Sequence, residues 1–295
     1  MTADIFSVKK DKRTLARSLI PLGVISVSFA AIFIRWSNSH PIAVAFYRMF
    51  FSTLILLFFL PPHLSRIKKI DKRGWLTLIT TGLLLAVHFA AWISSLSYTS
   101  VASSVVLVTA HPIVVAWISS WYLGEKTSFR AYIGIGIGLI GVFIMTFSNY
   151  RISGWAFLGD MLAIIGMLAF AGYLLRGRKI RQDMPVVPYA FIVYLFSTLF
   201  LGLFSIPFST SFTSYPAEEY ILFFALALIP TIFGHTLFNW GLKHLKARII
   251  SVSLLGEPIG ASLLAFLILK EVPKTLTIVG GGITLLGIYI CTKFE

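Results

Sequence analysis

The chain has 295 residues, 57% of them hydrophobic and only 12% charged, with a mean hydropathy of +0.88. Soluble domains carry about 25% charged residues, and the apolar runs fill nearly the whole length, leaving no room for a soluble domain of about 100 residues. The net charge of +14 points to nucleic acid only in a soluble protein; here the basic residues fall between apolar runs, where they orient a membrane protein, and nucleic acid is not an expected partner.

A hydrocarbon core of about 30 Å takes roughly 20 apolar residues per helix. Ten such runs are predicted: 18–36, 43–60, 74–95, 101–122, 129–148, 156–175, 186–207, 219–240, 249–269 and 273–292. The first follows Lys9, Lys10, Lys12, Arg13 and Arg17, and Ser28-Phe29-Ala30 loosely resembles a cleavage site. The apolar run continues through Ile34, so it reads as a transmembrane helix rather than a signal peptide. Breaks fall at Asn38 to Pro41, Pro61-Pro62, Ser97 to Ser100, Ser148-Asn149, Pro185 and Ser209 to Pro216. The single cysteine, Cys291, excludes an intrachain disulfide and supplies no metal-ligand spacing.

The chain is written twice. Thr109-Ala110-His111-Pro112 and Leu255-Gly256-Glu257-Pro258 stand 146 residues apart, and the same offset links Leu96 to Leu242, Glu125 to Glu271, Gly134 to Gly280 and Gly141 to Gly287. Phe51-Ser52-Thr53-Leu54 returns as Phe196-Ser197-Thr198-Leu199 after a one-residue slip. The expected organisation is a basic segment over 1–17, a first five-helix repeat over 18–148 and a second over 149–295. Lysine and arginine number 20 on one set of alternate connections and 4 on the other, which predicts both termini on the cytoplasmic side of the inner membrane. Five spans per copy is odd, so the second copy crosses in the opposite sense, and the fold class is an all-α polytopic membrane protein of ten helices in two inverted repeats. Such repeats serve secondary transport around a midplane site.

His111 and Glu257 lie roughly 12–15 Å deep at a rise of 1.5 Å per residue. The prolines that follow kink their helices and free nearby carbonyls. A carboxylate at mid-membrane costs about 2.5–3.5 kcal/mol even on the lenient insertion scale, so Glu257 is either paired or protonated and is the candidate for proton coupling. The competing account is a neutral acid bonded to a carbonyl that Pro258 frees. His111 is either its partner, the two then titrating as a unit, or a satisfied core histidine.

His88, Trp92 and Ser95 share one helical face, as do His235 and Asn239. Polar tips on an aromatic wall suit an amine or an aromatic ring; an interfacial anchor at Trp92, and interhelical bonding by His235 and Asn239, are the structural alternatives. Arg48 lies about seven residues inside the second run and needs acceptors, either a substrate carboxylate or backbone carbonyls; Tyr194 holds the equivalent position. Gly136-Ile-Gly138-Leu-Ile-Gly141 fits a dinucleotide fingerprint but lies inside an apolar helix, where it serves packing. No catalytic motif, metal site or cofactor is predicted.

The stretch Ser28 to Trp36, Phe46-Tyr47-Arg48, Gly124-Glu125, Leu158-Gly159-Asp160 and Glu257-Pro258 together resemble EamA-type members of the drug/metabolite transporter superfamily over residues 18–292. The resemblance implies two inverted five-helix repeats, a central cavity and ATP-independent transport of small molecules, commonly export of amino acids or other metabolites. The expected substrate-binding set is His88, Trp92, His111, His235, Asn239 and Arg48, and the partners are a small-molecule substrate and the bilayer. An organic-cation exporter is the alternative; an intramembrane enzyme has no motif in its favour. Lys270-Glu271 departs from the Gly-Glu of the first repeat.

Overall fold

The computed structural model describes residues 2–99, 101–147, 155–208, 212–270 and 272–294. Ser100, Ser148, Asn149, Arg151, Ser209 and Glu271, and with them the expected boundary between the repeats, lie outside that set. Every element among the described residues is helical. Among the described residues ten spans follow in order: Thr2–Trp36, Pro41–Phe58, Lys72–Ser95, Ser104–Tyr122, Phe129–Phe147, Ala156–Ile180, Val186–Ser205, Ala217–Gly241, Ala247–Ile268 and Thr275–Lys293. Nine are long and apolar enough to cross a membrane, and in the fifth the apolar part, Phe129–Met145, is shorter. Residues 2–17 are continuous with the first helix.

Local chemistry explains several ends. Pro41 opens the second span at a position where its missing N–H is no loss, and the preceding His40 accepts from the Ile42 N–H at 3.3 Å. The Asp71 carboxylate caps the third span by accepting from the Gly74 N–H at 2.9 Å. Gly124 leaves the fourth span at φ 66°, a left-handed turn that favours glycine. Lys270, its repeat equivalent, takes the same turn at φ 59° without being glycine. The backbone thus keeps the repeat where the side chain has departed from it.

Contacts between spans obey an exchange of the two copies. The second packs on the seventh, the fourth on the ninth and the fifth on the tenth; the first meets the eighth and ninth as the sixth meets the third and fourth. The fifth and tenth spans are the most intimate pair. A Cβ at Gly134 stands 2.5 Å from the Cys291 nitrogen, and one at Gly280 stands 2.5 Å from the Gly141 oxygen, so only glycine admits this approach. Of the fingerprint-like glycines, Gly141 faces the tenth helix, Gly138 faces Leu255 of the ninth span with the tenth helix beside it, and Gly136 faces open space.

Two spans are broken in mid-course. The fourth consists of Val101–Val108 and a fresh helix His111–Tyr122; the ninth consists of Ala247–Ser253, a tight turn Leu254–Gly256 and a fresh helix Glu257–Leu269. The sequence predicts kinks here, and the structure has complete restarts: Pro112 and Pro258 occupy the second position of a new helix, where proline is favourable. The eighth span widens into a π-helix over Ala227–His235 around Pro230. Its looser ladder is completed by side chains, since the Thr231 hydroxyl donates to the Leu226 carbonyl at 2.9 Å and the Thr236 hydroxyl to the Thr231 carbonyl at 3.1 Å.

Candidate functional site

The two breaks and the π segment face one cavity. Its wall includes Arg48, His88, Trp92, His111, His235 and Glu257, with Thr109, Phe170 and small apolar residues between them. About 70 Å³ of it is open to the centre of a water-sized sphere. Six of the seven residues singled out from the sequence therefore share one wall.

Phe170, on the sixth span, is the hub. Its ring lies 4.6 Å from that of His88, 4.9 Å from His111 and 5.9 Å from His235, the last two edge-on. His88 also stacks on Trp92 at 5.9 Å and 12°. His88 Nδ1 sits 2.9 Å from the Gly166 carbonyl, which only accepts, so Nδ1 carries the proton and Nε2 of the neutral ring keeps its lone pair. Ser95 turns away from this face and bonds Ser104 at 2.6 Å.

Arg48 is 1% exposed. Its Nε donates to the Thr231 hydroxyl at 2.8 Å and its guanidinium lies 4.3 Å over the Phe89 ring, while Nη1 has no partner among the described residues. The Trp92 indole nitrogen is also buried without an acceptor. Glu257 begins its helix with its carboxylate unbonded among the described residues; only its backbone carbonyl is engaged, by the Ser28 hydroxyl at 3.2 Å. Arg48 and Glu257 are near enough to interact electrostatically, yet no ion pair within 4 Å joins them. The wall thus carries a guanidinium and a carboxyl group that interact across the cavity without a direct ion pair. His111 is bonded to Ser251, Nδ1 to Oγ at 2.6 Å, and not to Glu257.

Asn239 is fully buried off the cavity wall, nearer the end that bears the basic loops. Its side-chain amide meets the Tyr173 hydroxyl at 2.6 and 2.9 Å and the Tyr194 hydroxyl at 3.3 Å, and its backbone carbonyl accepts from Arg181 Nε at 2.9 Å. Tyr194 thereby serves the packing of the eighth span. Asp160 accepts from the Thr99 hydroxyl at 2.8 Å and joins two helix ends. Among the described residues no three histidine, cysteine or carboxylate side chains converge as a metal site.

Sequence reasoning missed Phe170, Thr231 and Ser251. Phe170 is one of 26 phenylalanines with nothing local to mark it. Ser251, a hydroxyl inside the apolar run Ile249-Ile250-Ser251-Val252, carried a usable signal.

A model of the EamA-like transporter family matches residues 15–147 and 157–293, one match on each copy. The chain belongs to the EamA-like transporter family. It is 23% identical over 275 residues to an uncharacterized transporter of Archaeoglobus fulgidus, covering 93% of this chain and 95% of that one. It is also 22% identical over 254 residues to the inner membrane protein YtfF of Escherichia coli (strain K12), covering 77% and 79%. A solved crystal structure superposes with a TM-score of 0.78 at 16% identity, covering 95% of this chain and 97% of the other; that likeness concerns the fold alone. As an EamA-like transporter, the protein is an integral membrane protein whose two repeats meet at the cavity.

Proposed function

We propose that this EamA-like protein is a secondary transporter that exports a small zwitterionic metabolite such as an amino acid, by alternating access of two inverted repeats around the Phe170 cavity. Both termini are cytoplasmic in this reading, in the inner membrane, as the 20 to 4 distribution of basic residues favours. The observation that carries the reading is the Arg48–Glu257 relationship: a guanidinium and a carboxyl group line one cavity without a direct ion pair between them. A buried charge without its counter-ion is costly, and a zwitterion supplies both counter-ions at once. The carboxylate meets Arg48, the ammonium meets Glu257 and the His88 lone pair, and the rings of Trp92, His111, His235 and Phe170 enclose the rest. When the substrate leaves, Glu257 takes a proton, which removes the charge an empty site leaves exposed and couples the cycle to the proton gradient.

The aromatic wall beside a carboxylate also supports an organic-cation exporter, for which Arg48 is an obstacle. Counterflow of labelled amino acids in reconstituted vesicles separates the two. Amino-acid exchange that Arg48→Lys weakens supports the first reading; exchange of cationic dyes that is indifferent to Arg48→Lys supports the second.

A further inference from the structure

Between the cavity and the end that bears the basic loops, the second half of the fourth span packs against the first half of the ninth. These half-helices belong to different repeats, and three sets of polar bonds close the seam between them. At the cavity, His111 holds Ser251 at 2.6 Å. At the far end, two bridges run in opposite directions. Glu125 Oε2 accepts from the Ala247 N–H at 3.0 Å, capping the first turn of the ninth span; Arg248 Nη1 donates to the Lys126 carbonyl at 2.7 Å, just beyond the fourth. The other oxygen of Glu125 takes Arg178 Nε at 2.6 Å, which adds the end of the sixth span to the closure. Ala116 and Val252 fill the space between in one buried cluster.

We propose that Glu125 is a positioning residue of the transport cycle: the Glu125 carboxylate is the latch that holds the seam shut on the basic-loop side, and its release from Arg178 and Ala247 opens the cavity to that side. This rests on the alternating-access reading above. Two features suit a latch rather than a permanent strut. The Arg178 and Glu125 side chains are 17% and 10% exposed, so water reaches both and each is hydrated on release. The turn at Gly124 also hangs Glu125 on a single left-handed hinge after the helix has ended, and no neighbour crowds that glycine. His111 ties the cavity to the other end of the same seam, so a substrate that engages His111 loosens Ser251 and favours release.

The test is the sidedness of labelling of Ala261→Cys, on the cavity wall, in a Cys291→Ser background. A membrane-impermeant maleimide is applied to right-side-out and inside-out vesicles without substrate. With Glu125 present, labelling is expected chiefly from the face opposite the basic loops. Glu125→Ala is expected to raise labelling from the basic-loop face several-fold, and Ser251→Ala to move it in the same direction. Ser251→Ala decides the matter if Glu125→Ala fails to fold. A folded variant with lowered thermal stability and unchanged sidedness would show Glu125 and the seam to be structural only, and would overturn the proposal. Because no substrate is present, that failure leaves the transport reading untouched, while absence of transport with altered sidedness would count against the transport reading alone.

Discussion

His111 and Glu257 occupy the same place in two copies of one design: each is the first residue of a helix that restarts in mid-span, each precedes a proline, and both line one cavity. A restarted helix exposes its first N–H groups and the positive end of its dipole, which favours a carboxylate at Glu257. The copies have diverged in what they carry there. His111 is anchored to Ser251, whereas the Glu257 carboxylate faces the cavity without a protein partner, so the second copy supplies the group free to change its charge.

Arg48 should show its role through geometry as well as charge. Arg48→Lys keeps the charge but not the planar fork that spans Thr231 and the Phe89 ring. It is expected to weaken amino-acid binding at least tenfold, about 1.4 kcal/mol, when apparent affinity is read from counterflow. Thr231→Val removes both the acceptor of the guanidinium Nε and the donor to the Leu226 carbonyl, and is expected to cost about 1–3 kcal/mol of stability, read as a lower thermal midpoint.

The glycines of the fifth span should sort by what faces them. Gly134→Ala drives a methyl into the Cys291 backbone and is expected to destabilise by about 1–3 kcal/mol. Gly136→Ala, with nothing within 4 Å, is expected to be neutral or to stabilise by up to about 1 kcal/mol through helix propensity. Thermal unfolding of the two variants side by side distinguishes packing from composition.

Much of this is legible in the sequence. The spans, and the equivalent positions of His111 and Glu257 in the two copies, follow from hydropathy and from an offset, because membrane insertion makes apolar length nearly obligatory; that His111 bonds Ser251 rather than Glu257 does not. The breaks were readable only as kinks, since Pro112 and Pro258 look alike whether they bend a helix or begin one. Phe170 and the Arg48 partners Phe89 and Thr231 come together across spans, and no local spacing announces such contacts. Asn239 shares a face with His235, but depth along the helix decides which of them reaches the cavity, and a periodicity argument fixes the face and not the depth.

That placement of Asn239 makes it separable from transport. Asn239→Leu leaves the Tyr173 and Tyr194 hydroxyls without their shared amide, at an expected cost of about 1–3 kcal/mol. Substrate affinity in the folded fraction should change less than twofold, about 0.4 kcal/mol. A large loss of affinity with unchanged stability would place Asn239 in contact with substrate after all.

The left-handed turns give a matched pair. Gly124→Ala introduces strain of about 1–2 kcal/mol at φ 66°, and Lys270→Gly relieves the same strain at φ 59°. The first is expected to lower the thermal midpoint and the second to raise it; shifts of the same sign would contradict the assignment of these turns.

The most direct test of the central claim is accumulation of a labelled amino acid in proteoliposomes under an imposed pH gradient, compared between wild type and Glu257→Gln. Wild type is expected to drive the amino acid against its gradient. Glu257→Gln, which keeps the shape but not the titratable group, is expected to retain exchange at weakened apparent affinity, since the ammonium loses its counter-ion, and to lose that accumulation. Accumulation by Glu257→Gln equal to wild type would contradict the assignment of Glu257 as the proton-linked group of the cavity.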